Sequence, residues 1–191
     1  MVVSIATLGC KVNQFDTEAL AELFRARGHT VVPFPAPADA YVINTCAVTA
    51  EAVRKSRNLA RRIHRRNPAA AIALTGCYAQ TGGDEPARLP GVVLVVGPQD
   101  RGLLPALLEE AAAGAAPVRL VRPSGTVPAF IDLPVGAFGE HTRAWLKIQD
   151  GCEQFCAYCL IPYARGPVRS LAPERVLEEA RRLTAAGHRE L

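Results

Sequence analysis

Three thiols fall within eight residues in Asp150-Gly151-Cys152-Glu153-Gln154-Phe155-Cys156-Ala157-Tyr158-Cys159, spaced C-x3-C-x2-C with an aromatic residue before the last. Four cysteines would close a tetrahedral site. Three leave one corner of the metal for a ligand from outside, and open corners are where metal chemistry takes place. Three further cysteines are far apart in the chain, yet each directly follows a β-rich run: Ala6-Thr7-Leu8-Gly9-Cys10, Val42-Ile43-Asn44-Thr45-Cys46 and Ala73-Leu74-Thr75-Gly76-Cys77. The strands of a parallel sheet end along one edge, and ligands bind there where the strand order reverses. Three loops can therefore deliver Cys10, Cys46 and Cys77 to one metal site. Gly9 and Gly76 permit close backbone approach, and helices starting after the loops aim N–H groups at an anionic thiolate cluster. The alternative is that these cysteines are buried small hydrophobes; three equivalent positions weigh against it.

For the C-x3-C-x2-C set, zinc would need His141 or His188 as a fourth ligand, and neither has a finger-like spacing. An iron-sulfur cluster with one iron free of protein ligands fits the spacing better. Six cysteines among 191 residues are too uneven for the disulfide framework of a secreted mini-protein. No apolar run approaches the roughly 20 residues of a membrane span, and the first residues lack a basic signal-peptide head. The expectation is a cytoplasmic protein with no membrane partner.

The elements that must position these thiols follow from pattern. Strands are expected at 2–8, 30–34, 41–44, 71–75 and 92–96. Helices are expected at 15–27, where Leu20, Leu23 and Phe24 share a face and Gly28 stops the run, and at 49–66 and 100–113. Alternation of this kind gives an α/β fold with a flavodoxin-like parallel sheet over residues 1–113. Residues 114–142 are rich in Pro and Gly and read as a connector. A strand at 143–149, the cysteine loop and a helix at 173–187 with Val176, Leu177, Ala180 and Leu183 as its buried stripe are then expected to form one βα unit, the start of a larger parallel sheet or barrel over 143–191 that is expected to be incomplete. The net charge of +4 is uneven: residues 51–66 hold seven basic residues against one acid. With Val53, Leu59, Ala60 and Ile63 as its buried side, that run reads as the solvated face of an amphipathic helix rather than a phosphate track.

At Cys152, Cys156, Tyr158 and Cys159 the sequence resembles the radical S-adenosylmethionine enzymes. Thr7-Leu8-Gly9-Cys10-Lys11-Val12-Asn13-Gln14, Ile43-Asn44-Thr45-Cys46 and Thr75-Gly76-Cys77-Tyr78 narrow the likeness to the N-terminal part of the methylthiotransferases. Lys11 to Glu18 is closest to the branch acting on threonylcarbamoyladenosine in tRNA rather than those acting on isopentenyladenosine or a ribosomal protein. The rest of a TIM-like radical SAM barrel and a small RNA-gripping β domain, which such enzymes also carry, are expected to be missing.

The resemblance implies two 4Fe-4S clusters. Cys152, Cys156 and Cys159 would hold one whose free iron is chelated by S-adenosylmethionine, with Tyr158 near the adenine; reductive cleavage there yields a 5'-deoxyadenosyl radical. Cys10, Cys46 and Cys77 would hold the other, from which a methylated sulfur reaches the tRNA substrate. An electron donor is implied as a further partner. Lys11, Asn13, Asn44, Thr45 and Gln80 lie beside the cluster loops, where they would either bond sulfur or merely cap the loops. Arg165 and Arg169 are candidates for a phosphate or the cofactor carboxylate. The competing readings are a non-catalytic iron-sulfur fragment and a zinc-stabilised nucleic-acid-binding module.

Overall fold

The computed structural model describes residues 1–126, 129–133, 135 and 143–191; His141 and the Pro128, Pro134, Gly136 and Gly139 portion of the expected connector lie outside them. Its main body is a six-stranded parallel sheet in the order β2-β1-β3-β4-β5-β6. The strands are β1 (Val2–Thr7), β2 (Thr30–Pro33), β3 (Ala40–Thr45), β4 (Ala71–Gly76), β5 (Val92–Val96) and β6 (Val118–Leu120). Helices α1 (Lys11–Ala26), α2 (Ala50–Arg66), the short α3 (Cys77–Thr81) and α4 (Leu104–Ala112) connect them.

The five expected strands form with ends shifted by a residue or two, and the first five keep the 2-1-3-4-5 order of a flavodoxin-like sheet. Every residue of β3 is buried, as befits a central parallel strand covered on both faces. One face packs Ile43, Ile72, Leu74 and Val95 with Leu59 and Ile63 of α2. The other packs Val3, Val42, Leu94 and Val96 with Leu20 and Phe24 of α1 and Leu104 and Leu108 of α4. Helix α1 begins four residues earlier than its apolar pattern indicates, because its first two turns bury the polar Asn13 and Asp16 on the face that Leu20 and Phe24 continue. Thr49 caps α2 by accepting from the Ala52 N–H at 3.1 Å. The sixth strand comes from within the segment expected to be a connector, since Val118–Leu120 pairs in parallel with β5.

Beyond the sheet, the expected strand at 143–149 forms only in part. Gln149–Asp150 (β7) pairs antiparallel with Arg169–Ser170 (β8), and Arg143 makes a single parallel bridge to Glu190. Helices α5 (Ile161–Arg165) and α6 (Pro173–Ala185) complete the elements. Helix α6 lies in sequence between the two residues of the Arg143 bridge. The expected apolar stripe of α6 is largely uncovered: only Leu183 is buried, while Leu177 is 56% exposed. Leu183 joins Ala144, Val135 and Ala19 in a small core that ties α6 to the outer side of α1.

Candidate metal centre

Strand order reverses between β1 and β3, and the two loops that flank that reversal end in Cys10 and Cys46. Cys77 follows the next strand, β4. All three line one cavity of about 250 Å³ together with Asn13, Asp150 and Arg165. Cys10 is exposed, whereas Cys46 and Cys77 are buried. The topology thus brings together the three thiols that sequence position assigned to one sheet edge.

The loops owe their approach to missing side chains. At Gly9, with φ of +102°, a Cβ would stand 2.8 Å from both Cβ and Sγ of Cys46. Gly76, with φ of +88°, would direct a Cβ into the Thr45 carbonyl and to 2.6 Å from Asn44 Oδ1. Both conformations lie where only glycine is comfortable.

Side chains then stitch the loops together. Asn13 is fully buried; its Nδ2 donates to the carbonyls of Leu8 at 2.7 Å and Thr45 at 3.0 Å, while its Oδ1 accepts from Arg165 Nη2 at 2.6 Å. Asn44 Nδ2 donates to the Asn13 carbonyl at 2.8 Å and to Thr17 Oγ1 at 3.1 Å. Thr45 Oγ1 donates to the Thr75 carbonyl at 2.5 Å and accepts from the Ala79 N–H at 3.2 Å. Ser56 Oγ reaches the Cys46 carbonyl at 3.3 Å. Asn13, Asn44 and Thr45 therefore fix backbone in loops of β1, β3 and β4. Lys11 is exposed, and Gln80 donates to the Arg122 carbonyl at 2.8 Å.

Beneath the cavity lies a buried ion network that the sequence did not reveal. Asp16 of α1 meets Arg101, Lys147 (2.9 Å) and Arg165 (2.8 Å). Asp150 meets Lys147 (2.6 Å), Arg165 (3.1 Å) and Arg101 (3.6 Å). Burial alone would push the Asp16 carboxyl up, but Arg101, Arg165 and Lys147 outweigh it and hold the group far below the usual carboxylate range. Burial likewise pushes the Cys77 thiol up, against the pull of Arg165. The early positions of Asn13 and Asp16, in register with Leu20 and Phe24, were the available sign that α1 carries polar groups inward. Arg165 pairs with both carboxylates while also lining the cavity.

The second cysteine set begins at the cavity wall. Gly151 lines the cavity, and the Cys152 N–H donates to the Gly166 carbonyl at 3.0 Å. The Cys159 N–H donates to the Cys156 carbonyl at 2.8 Å, closing a turn. Phe155 takes a positive φ of 45°, and Cys156 lies exposed with Cys152 and Cys159 half-buried. Tyr158 is 91% exposed. His188 is buried at the end of α6, its N–H on the Leu183 carbonyl.

Among the described residues, no three His, Cys, Asp or Glu side chains are grouped as a single ion would require. A zinc ion needs each thiolate within about 2.3 Å of one point. A cubane takes each thiolate on a different iron and so accepts ligands set wider apart. Three thiols around one cavity, with the Arg165 guanidinium on its wall, fit an anionic iron-sulfur cluster.

The family model described as "Uncharacterized protein family UPF0004" matches residues 2–97. The chain is 44% identical over 189 residues to the threonylcarbamoyladenosine tRNA methylthiotransferase MtaB of Bacillus subtilis, covering 99% of this chain and 42% of that protein. It is 36% identical to the tRNA-2-methylthio-N(6)-dimethylallyladenosine synthase of a Jannaschia species, covering 98% of this chain and 41% of the relative. The chain thus spans less than half the length of these relatives. Its fold is shared with the radical S-adenosylmethionine methyltransferase TsrM of Kitasatospora setae, with a TM-score of 0.63 at 15% identity over 98% of this chain and 46% of that one. The chain belongs to the family UPF0004, and its likeness to the methylthiotransferases runs over their N-terminal part.

Proposed function

We propose that this chain is the cluster-bearing part of a radical S-adenosylmethionine tRNA methylthiotransferase that places a methylthio group on N6-threonylcarbamoyladenosine beside the anticodon. The observation that carries this reading is the convergence of Cys10, Cys46 and Cys77 on one cavity whose wall includes Gly151, the residue before Cys152. The second three-cysteine set thus starts one residue from the wall of the cavity that the first set lines, and a reaction that joins the chemistry of two clusters would need such proximity.

In this reading Cys10, Cys46 and Cys77 hold one 4Fe-4S cluster and Cys152, Cys156 and Cys159 hold a second. When bound, the clusters and S-adenosylmethionine supply the radical and sulfur chemistry that protein side chains lack. The residues of this chain do the rest. Asn13, Asn44 and Thr45 keep the three thiol-bearing loops at fixed separation. The Asp16–Lys147 and Asp16–Arg165 pairs hold the second cysteine loop against the sheet. Tyr158, open to solvent beside Cys159, is free to pack against the adenine of the cofactor. The domain division belongs to this reading, with the sheet portion carried past residue 113 by the pairing of Val118–Leu120, then a connector and a radical SAM portion over 143–191. So do a cytoplasmic setting and the need for an electron donor; no helix among the described residues is long and apolar enough to cross a membrane.

The branch is tested in the source organism. Deleting the gene removes the 2-methylthio group from threonylcarbamoyladenosine in digested tRNA and leaves the 2-methylthio isopentenyladenosine pool intact, as read by nucleoside mass spectrometry. Loss from the isopentenyl nucleoside instead would reassign the substrate, and no change in either would remove the tRNA reading.

A further inference from the structure

The buried network beneath the cavity holds more positive charge than its carboxylates need. Arg101, Arg165, Arg169 and the side chain of Lys147 are buried, and the carboxylates that pair with them are those of Asp16 and Asp150. Asp100, also buried, pairs through Oδ1 with the exposed Arg122 at 3.0 Å, and its Oδ2 has no hydrogen-bond partner among the described residues. Arg169 makes one bond, from Nη2 to the Arg165 carbonyl at 2.6 Å, and its Nε and Nη1 are buried with no partner among the described residues. Even a neutral Lys147 would leave three guanidiniums against two carboxylates. An uncompensated buried cation is costly, so such a surplus persists only where an anion completes it.

The opening beside this surplus is the cysteine cavity. Arg165 lines it with Cys10, Cys46 and Cys77, and so does Asp150. Asn13 fixes the orientation of Arg165 by accepting from Nη2, while Nη1 donates to Asp16 at 2.8 Å and Asp150 at 3.1 Å.

We propose that Arg165 is a positioning residue that sets the charge of the Cys10, Cys46 and Cys77 site, holding a permanent positive charge beside a cluster there and so favouring its one-electron reduced form. This rests on the assignment of a 4Fe-4S cluster to those cysteines. The electron comes from a low-potential one-electron donor and adds one negative charge to the cluster; no bond is made or broken. Asp150, on the same wall, opposes the effect. The two residues therefore predict opposite signs, which structural damage would not.

The test uses the chain with Cys152, Cys156 and Cys159 replaced by alanine, reconstituted anaerobically so that only one cluster remains. Dithionite with redox mediators reduces it, and electron paramagnetic resonance follows the reduced form. Arg165→Gln is expected to shift the reduction equilibrium toward the oxidised form by at least about tenfold, ~59 mV for one electron. Arg165→Lys keeps the charge and stays within about threefold of the parent, and Asp150→Asn moves the equilibrium toward the reduced form. If Arg165→Gln cannot retain a cluster, Asp150→Asn decides: a shift toward reduction supports the role, and no shift or the opposite shift overturns it. Shifts of Arg165→Gln and Asp150→Asn in the same direction also overturn it. Failure of the parent to take up labile sulfide overturns the cluster assignment itself, a result separate from unchanged potentials in a loaded protein.

Discussion

Gly76 stands at φ of 88° and ψ of −164°, directly before Cys77, in a conformation open only to glycine. Its replacement by alanine adds backbone strain and drives a Cβ against the Thr45 carbonyl and Asn44. Gly76→Ala is expected to cost at least about 2 kcal/mol in urea unfolding, and to lower iron uptake by the Cys10, Cys46 and Cys77 site. Unchanged stability would mean that the loop relaxes freely. The cysteines and the two glycines were legible in the sequence because their chemistry and their place after each strand carry the message. Asp16, Arg101, Lys147 and Asp150 were not. A charged residue announces no direction, and the partners that bury Asp16 lie 131 and 149 residues away, beyond the reach of any local pattern.

Among the elements, α6 separates pattern from packing. Its apolar stripe is regular, yet only Leu183 is fully buried, in the small core with Ala19, Val135 and Ala144, while Val176 and Ala180 are half-buried and Leu177 is exposed. Leu183→Ala is expected to destabilise the chain by about 2–4 kcal/mol, while Leu177→Ala changes stability by less than about 0.5 kcal/mol; equal effects in chemical unfolding would refute this packing. Periodicity tells which residues share a face but not what covers it. The same limit explains the strand at 143–149, where the apolar run is present but most of its hydrogen-bonding partners are not among the described elements. Strand β6 went unread because three residues after Pro117 fall below the length at which alternation is visible. Helix α2 kept to its pattern, with Leu59, Ala60 and Ile63 inside and Arg61, Arg62, Arg65 and Arg66 outside.

At the scale of the whole molecule, the sheet and the portion that follows it are joined through Asp16. Because its folded pKa is depressed, the carboxylate contributes stability at pH values above its unfolded pKa of about 3.9 and loses that contribution as pH falls below it toward the folded value. The metal-free chain should therefore lose stability as pH drops from about 5 to 3, and Asp16→Asn should be less stable at pH 7 with a shallower acid dependence. Parallel pH profiles for the two would contradict a charged Asp16 at the junction. The order of the first five strands was legible as a flavodoxin-like sheet, since alternating strands and helices leave few topologies; the way the second portion docks was not, since it is decided by ion pairs rather than by pattern.

The measurement that bears most directly on the paired cysteine sites is iron, labile sulfide and zinc content after anaerobic reconstitution. Two cubanes predict about eight irons per chain with matching sulfide, and replacement of either cysteine set by alanine should halve both. Zinc bound without labile sulfide, or iron lost completely on removal of only one set, would contradict two independent clusters.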